Sequence, residues 1–427
     1  MNSSTNIRFT KIAFIVLVIN NLLLSSIVLP NINALEQTSQ TFPSSGTIIY
    51  QNPQESINIL RYESKDTLGT QKNDALFVSS ITDMYVAGIW QTNIANEMHS
   101  INPDSKVIVY RDFMNIKEGY SEWFSAVENN WILKDENGDY VYAVNNPINK
   151  IADRGNPDFA EYMANWVSDQ MSVGFDGIFC DNAMQIYPNT AWTINTRPIN
   201  PRTGQLYTDQ EWLDDCRTFI NHIKEQVPEA ILIANGMPFT GRAFYQDKTE
   251  YSYFLSNSDM DGKFFEGTFN NFGTLYSESD WKQSVDMIIW LQDNYLSDPN
   301  KYIVLWSQSQ MIPEDITPDQ MSSFIFTSSL LGVSRKNQNY VALHGNMDSA
   351  FSQSLYEIDL GAPTEEYHII GGTHIYERTY TNVRVLVNPT DSLQTLDLSG
   401  AYLDLNGDLI TTITLQKYSG TILTPIS

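Results

Sequence analysis

Short apolar runs recur between about residues 57 and 345, separated by longer stretches of helical character. The runs are INILRY (57–62), ALFVSS (75–80), KVIVYRD (106–112), FDGIFCD (175–181), AILIANG (230–236), KFFEG (263–267), YIVLWSQ (302–308) and YVALHG (340–345). Continuous apolar runs, without regular polar alternation, are typical of strands that are buried on both faces of a parallel sheet. We therefore predict a strand at each run.

Helix-start signals lie between these runs. They are Asn156–Pro157, Thr208 with Glu211, and Thr317–Pro318. Eight strands that alternate with helices favour an α/β fold, a (β/α)8 TIM barrel over residues 57–350. An open doubly wound sheet is the alternative, but no G-x-G-x-x-G sequence follows a strand.

Beyond about residue 350 the pattern changes. Apolar and polar residues alternate in HIYERTYTNVRVLVNPT (374–390), TLDLSGAYLDLNGDL (395–409) and TTITLQKYSGTIL (411–423), with turn residues between the alternating stretches. Alternation with a period of two indicates strands that bury one face. This region, residues 351–427, therefore predicts a C-terminal antiparallel β-sandwich domain packed on the barrel.

The N-terminal residues have the pattern of an export signal. Arg8 and Lys11 precede a charge-free apolar run over residues 12–29, and a cleavage point follows at Ala34. We predict a signal peptide over residues 1–34 and a polar linker over 35–56. An uncleaved membrane anchor is the alternative, since 18 residues are near the lower limit for a span. Both interpretations place the remaining chain outside the cell, secreted or at its surface.

Composition excludes several classes of function. The net charge of −25 argues against nucleic acid as the partner, because phosphate binding needs clustered Lys and Arg. Two Cys and five scattered His provide no zinc motif, and no G-x-S-x-G sequence occurs. NSDMDG (257–262) resembles half of a calcium loop, but Thr268 stands where the bidentate Glu belongs. We predict neither a metal nor a cofactor.

Two acids close predicted barrel strands. Asp181 ends the fourth strand and Glu266 ends the sixth. The carboxyl ends of barrel strands surround the active site in nearly all enzymes of this architecture. Two carboxylates across the mouth are what glycosidic cleavage requires, one as acid and one as nucleophile or base. The alternative is that each acid caps a loop or a helix.

Five further side chains at strand ends are candidate substrate ligands: Arg111, Asp112, Asn182, Asn235 and Trp306. The two asparagines can donate and accept at sugar hydroxyls, or they can tie down their own loops. Arg111 and Asp112 can hold a hydroxyl or form an internal ion pair. Trp306 can stack on a sugar ring or belong to the core.

Four segments resemble a known family. GFDGIFCDN (174–182), KVIVYRDF (106–113), DRGNPDFAEYMANWV (153–167) and RTYTNVRVLVNPT (378–390) resemble the hypothetical glycosyl hydrolase family fifteen, which is related to the polygalactosaminidase-like enzymes. The resemblance implies a TIM barrel with an acid pair at the ends of strands four and six, here Asp181 and Glu266. It also implies retention of anomeric configuration.

The leading hypothesis is a secreted glycoside hydrolase that cleaves a polysaccharide or oligosaccharide. Asp181 would be the nucleophile or base, and Glu266 the acid. The main alternative is a catalytically silent carbohydrate-binding or cell-surface protein that keeps the barrel. A carbohydrate lyase or deacetylase is a further alternative, although a deacetylase would usually need a metal cluster.

Overall fold

The computed structural model describes residues 60–64, 75–188, 190, 193–236, 238, 240–271, 273–295, 301–307, 312–333, 341–344 and 349–426, the backbone alone at 341–344 and 350. The predicted signal peptide (1–34) and linker (35–56) lie outside the described residues. All described residues fall within one unit, Asn52–Ser427.

The strands, in chain order, are β1 (Tyr62–Ser64), β2 (Met84–Ala87), β3 (Lys106–Asp112), β4 (Asn115–Lys117), β5 (Tyr142–Ala143), β6 (Asn146–Ile151), β7 (Gly177–Asp181), β8 (Ile231–Ala234), β9 (Gly262–Phe265), β10 (Asn270–Asn271), β11 (Thr274–Leu275), β12 (Tyr302–Trp306), β13 (Val341–His344), β14 (His368–Ile369), β15 (Tyr376–Thr379), β16 (Arg384–Asn388), β17 (Gln394–Leu403), β18 (Leu409–Leu415) and β19 (Ser419–Pro425). The helices are α1 (Ala75–Ile81), α2 (Ile94–Ile101), α3 (Trp123–Glu128), α4 (Pro157–Ser172), α5 (Asp209–Gln226), α6 (Gly241–Gln246), α7 (Lys248–Asn257), α8 (Glu278–Asn294), α9 (Pro318–Gly332) and α10 (Ala350–Leu355).

Eight parallel strands form the main sheet, in the order β1-β2-β3-β7-β8-β9-β12-β13. The first strand also lies against the last, so the sheet curves into a barrel. Alternate residues of the strands meet in an inner core that includes Val86, Ile108, Phe179, Phe264 and Val304. The other faces of the strands pack against the helices. The predicted (β/α)8 barrel is confirmed.

The second predicted strand was wrong. ALFVSS (75–80) forms helix α1, and the second barrel strand is the next apolar segment, β2. The buried residues of α1 are Ala75, Val78, Ser79 and Ile81, a spacing that follows one face of a helix. The remaining predicted runs each overlap a barrel strand. INILRY (57–62) shares only Tyr62 with β1, whereas β3 coincides with KVIVYRD (106–112).

The helix-start signals operate as predicted. Asn156 Oδ1 accepts a hydrogen bond from the Asp158 N–H at 2.9 Å, with Pro157 in the first turn of α4. Thr208 and Glu211 form a reciprocal capping box at the start of α5. These caps satisfy backbone donors that have no partner within the helix.

The C-terminal module is an antiparallel sheet in the order β14-β15-β16-β19-β17-β18. Leu396 and Leu398 of β17 and Ile413 of β18 pack against a small core formed by Ile375, Leu386, Leu415 and Leu423. The β17–β18 hairpin therefore folds over the other strands, and the predicted antiparallel β-sandwich is confirmed. Among the described residues, no helix combines the length and apolar character that crossing a bilayer requires.

Helix α9 lies between the barrel and this module. Every residue from Met321 to Gly332 is buried, and a helix buried on all sides needs a partner on each. The Ser323 hydroxyl donates to the Gly420 carbonyl at 2.6 Å, and a Cβ on Gly420 would overlap the Thr327 hydroxyl. The absence of a side chain at Gly420 therefore lets β19 approach the helix closely.

Arg378 of β15 caps the C-terminal end of α9. Its buried guanidinium donates to the carbonyls of Leu331 at 2.8 Å and Val333 at 2.7 Å. The Tyr380 hydroxyl donates to the Leu330 carbonyl. The last carbonyls of a helix have no partner within it, and they carry the negative end of its dipole. The module therefore supplies both hydrogen bonds and positive charge to the barrel.

We expect Arg378→Met to lower the free energy of unfolding by about 3 kcal/mol, because it leaves several buried carbonyls without a donor. Urea denaturation followed by tryptophan fluorescence measures this change. The control is Arg242→Met, since Arg242 is 43% exposed and pairs with Asp280 on the surface. Equal losses in the two variants would contradict the capping role.

Candidate active site

Four polar residues stand on the inner face of the barrel at the carboxyl ends of neighbouring strands. Asp112 ends β3 and Asp181 ends β7, while Asn235 and Glu266 come directly after β8 and β9. Each continues the alternation of the inner core residues below it, such as Phe179 below Asp181. The sheet order places these four strands side by side, so the four side chains line one arc of the mouth.

The amide of Asn235 joins the two acids. Its Nδ2 donates to Asp181 Oδ1 at 3.0 Å and to Glu266 Oε1 at 2.9 Å. These two oxygens therefore lie no farther apart than the sum of those distances, about 6 Å. Asn235 is 2% exposed, so the bridge is shielded from water.

Asp181 receives two further hydrogen bonds. The Tyr110 hydroxyl donates to Oδ2 at 2.6 Å, and the Asn182 N–H donates to Oδ1 at 3.0 Å. The Tyr110 ring stacks on Phe179 with its centroid 6.0 Å away, which fixes the direction of the hydroxyl. Three donors around one carboxylate stabilise its charged form.

Asp112 is held by its own loop. Its carboxylate accepts from the N–H groups of Met114 and Asn115, both at 2.9 Å, and from Asn115 Nδ2 at 2.7 Å. Asn182 Nδ2 donates to it at 3.1 Å, from a residue with φ of 56°. Asp112 and Asn182 thus tie the ends of β3 and β7 together beside the acid pair.

Burial shifts the pKa of all three carboxyl groups upwards. It raises the pKa of Glu266 to about 7, and the charge of Asp181 adds to the effect. It raises the pKa of Asp112 to about 6, again with a contribution from Asp181. Burial also raises the pKa of Asp181, but the hydrogen bonds from Tyr110, Asn182 and Asn235 act against it. Glu266 is thus suited to carry a proton near neutral pH.

The other two predicted ligands, Arg111 and Trp306, lie on opposite faces of the sheet. Arg111 points out of the barrel, where its guanidinium lies 3.4 Å from Glu122 Oε1 and 5.0 Å from the Trp166 ring. Its ion pair with Glu122 lies outside the barrel, so it is not the internal ion pair of the alternative interpretation, and Arg111 does not join the acids. Trp306 lies on the inner face at the end of β12 and stacks on Phe264, with 6.0 Å between centroids.

Both cysteines are buried and free, so Cys180 and Cys216 form no disulfide. Asp261 of the calcium-like segment accepts from Lys224 Nζ at 2.7 Å and from the Leu232 N–H at 2.8 Å, a structural role. In the described ranges, no three His, Cys, Asp or Glu side chains are grouped to hold a metal ion.

A family model matches most of the chain. The model of "Hypothetical glycosyl hydrolase family 15" matches residues 99–384, more than half of the chain. The chain belongs to this family. It is a glycoside hydrolase, and a carbohydrate is its substrate. There is no match among curated proteins.

Solved structures share the fold of this glycoside hydrolase at low sequence identity. Bacillus licheniformis trehalose-6-phosphate hydrolase is 11% identical, with a TM-score of 0.57, and the match covers 87% of this chain and 99% of that one. Eubacterium rectale Amy13B is 11% identical, with a TM-score of 0.53 and coverage of 87% and 96%. An alpha-amylase from Anoxybacillus is 11% identical, with a TM-score of 0.50 and coverage of 84% and 90%.

Sequence reasoning missed two residues that act on this candidate site. Tyr110 stands two residues before Asp112 and therefore on the same face of β3, and this spacing is the signal that could have found it. Lys263 was passed over, although it is a lone cation in an apolar strand. It is 0% exposed, and its Nζ donates to the Gly236 carbonyl at 3.0 Å. Burial lowers the pKa of Lys263 to about 7.

We expect Asn235→Asp to destabilise the hydrolase by roughly 3 kcal/mol at pH 8, because it adds a third carboxylate beside two others. The new carboxyl's folded pKa would be raised above its unfolded value of about 4. The loss in free energy of unfolding relative to wild type should therefore be small at pH 4 and grow as the pH rises. Melting temperatures relative to wild type at the two pH values measure it. The control is Asn382→Asp, on an exposed turn. Equal deficits at both pH values would contradict the bridge.

Proposed function

We propose that the protein is a retaining glycosidase that acts on a polysaccharide, with Asp181 as nucleophile and Glu266 as acid and base. The observation that carries this proposal is the Asn235 bridge, which limits two oxygens of the acid pair to about 6 Å. Retaining enzymes hold their carboxyl groups about 5–5.5 Å apart, whereas inverting enzymes need about 6.5–9.5 Å for a water molecule. The upper limit of about 6 Å between Asp181 Oδ1 and Glu266 Oε1 is shorter than the separation that inverting enzymes need.

The roles follow from the surroundings of each acid. Asp181 accepts hydrogen bonds from Tyr110, Asn182 and Asn235, which favour the anion that a nucleophile must be. Burial and the charge of Asp181 raise the pKa of Glu266 to about 7, which favours the protonated form that a general acid must have. The two environments thus favour an ionised Asp181 and a protonated Glu266.

The reaction then has two displacements. Asp181 attacks the anomeric carbon while Glu266 gives its proton to the glycosidic oxygen, so the C–O bond breaks and a glycosyl ester forms on Asp181. Glu266, now ionised, takes a proton from water, and that water attacks the anomeric carbon and releases Asp181. Each displacement inverts the carbon, so the configuration is retained overall.

Two features support a polymeric and uncharged or cationic glycan. Exposed aromatic side chains follow the carboxyl ends of neighbouring barrel strands, with Trp90 (63% exposed) after β2 and Tyr120 (54%) after the β3–β4 segment. Apolar sugar faces stack on such rings. The net charge of −25 disfavours a polyanionic substrate.

We expect Asp181→Asn and Glu266→Gln each to reduce reducing-sugar release by about a thousandfold, since each removes a group from both displacements. The assay uses starch, a β-glucan and a polymer of amino sugars, with the purified protein. The control is Glu161→Gln, since Glu161 is an exposed acid of α4 and should keep the wild-type rate. Wild-type rates in both site variants would disprove the assignment.

Proton NMR of the first product anomer in the same reaction decides the stereochemistry. Retention supports the covalent route through Asp181. An inverted first product would disprove it and would make Asp181 the base that activates water.

The proposal includes export, on the basis of Arg8, Lys11 and the apolar run over residues 12–29. We expect the exported chain to begin at Leu35. N-terminal sequencing of protein recovered outside the cells measures this. Exported material that still begins at Met1 would contradict cleavage and favour an anchor.

A further inference from the structure

Lys263 is a fully buried lysine on a strand of the barrel. It is 0% exposed, and its neighbours Gly262, Phe264 and Phe265 on β9 are buried as well. Burying an ammonium group is costly unless it is paired and hydrogen-bonded. We therefore expect Lys263 to have a specific role in the structure.

The Lys263 side chain starts on the outer face of the sheet and extends towards the mouth of the barrel. Phe264 belongs to the inner core, so Lys263 begins on the opposite, helix-facing side. Its backbone pairs with Ala234 of β8, two residues below Gly236. From there, Nζ reaches the Gly236 carbonyl at 3.0 Å and lies over the Phe265 ring at 5.2 Å.

Gly236 follows the amide that joins the acids. It has φ of +130°, and its Cα faces the backbone of Met184 in the loop after β7. The Asn235 backbone is also tied across the strands, because its carbonyl accepts from the Met184 N–H at 3.0 Å. The hydrogen bond from Lys263 thus fixes the backbone at Asn235 and Gly236, which we call the Asn235–Gly236 corner. The conformation of this corner sets the direction of the Asn235 side chain.

The two charged groups that act on Lys263 are Glu266, three residues along the chain from it, and Asp181 on β7. The effect is mutual. Burial raises the pKa of both carboxyl groups, and the charge of Lys263 acts in the opposite direction on each. One buried cation therefore offsets part of the repulsion between two acids.

We propose that Lys263 is a positioning residue for the acid pair: its ammonium group fixes the Asn235–Gly236 corner and places a positive charge behind Asp181 and Glu266. Lys263 leaves the sheet on its helix-facing side, outside the barrel interior, and does not touch substrate. Its removal should consequently change kcat and leave KM unaltered.

The test compares Lys263→Met, which removes both the hydrogen bond and the charge, with Lys263→Gln, which keeps a donor but no charge. We expect both to raise the pKa of Glu266 by about one unit, because each removes a nearby opposite charge. NMR titration of ¹³C-carboxyl-labelled glutamate measures this without substrate, and the Glu266→Gln variant assigns the signal. The control is Lys282→Met, since Lys282 is 47% exposed and pairs with Asp286 on α8.

The kinetic readout rests on the proposed function. With Asp181 ionised and Glu266 protonated in the active form, both limbs of the pH profile should move about one unit to higher pH in Lys263→Met. Its kcat should fall about tenfold. A folded Lys263→Met variant with an unchanged Glu266 pKa overturns the inference, whatever the substrate is. An inactive wild-type protein would count against the proposed function alone.

The wild-type side chain gives a second measurement that needs no substitution at position 263. In ¹⁵N-lysine-labelled protein, the Lys263 Nζ should titrate with a pKa of about 7, because it is buried. Its pKa should fall further in Glu266→Gln, which removes a charge that favours the ammonium form. A Lys263 pKa that Glu266→Gln leaves unchanged overturns the inference.

Discussion

The site depends on one amide group that holds two like-charged side chains together. Asn235 donates to Asp181 and to Glu266, and without those bonds the two carboxylates would separate. The barrel makes the arrangement possible, because β8 lies between β7 and β9 in the sheet. An amide at the end of the middle strand can therefore reach an acid at the end of each neighbour. The arrangement is costly because both carboxyl groups are buried close together, and burial, followed by the charge of Asp181, raises the pKa of Glu266.

Other parts of the fold supply the stability that offsets the cost of burying these polar side chains. Below the acids, the inner core is apolar and contains stacked and edge-to-face rings such as Tyr110, Phe179 and Phe264. Outside the barrel, α9 is buried between helices and the C-terminal sheet. The candidate site and the regions that hold the fold are thus spatially distinct.

Much of this architecture could be predicted from the apolar runs, because strands buried on both faces leave a clear signal. The signal fails at ALFVSS (75–80), where a six-residue apolar run is equally compatible with a helix. The acid pair was predicted from strand ends alone. Arg111 and Asp112 were treated alike, yet adjacent strand residues face opposite sides, and only Asp112 turns inwards. The lone cation in KFFEG (263–267) was a signal for Lys263, but its hydrogen bond to the Gly236 carbonyl could not be predicted, because Gly236 lies beyond the neighbouring strand.

The position of β19 has a consequence for the order of synthesis. In space it lies in the middle of the C-terminal sheet, between β16 and β17, and its Gly420 contacts α9. In the chain it comes after all the other strands. While the protein emerges from the ribosome, the side of α9 that carries Ser323 and Thr327 therefore stays uncovered for about ninety residues. This side of the barrel is complete only when β19 inserts, and incompletely folded chains that expose such surface are prone to aggregate.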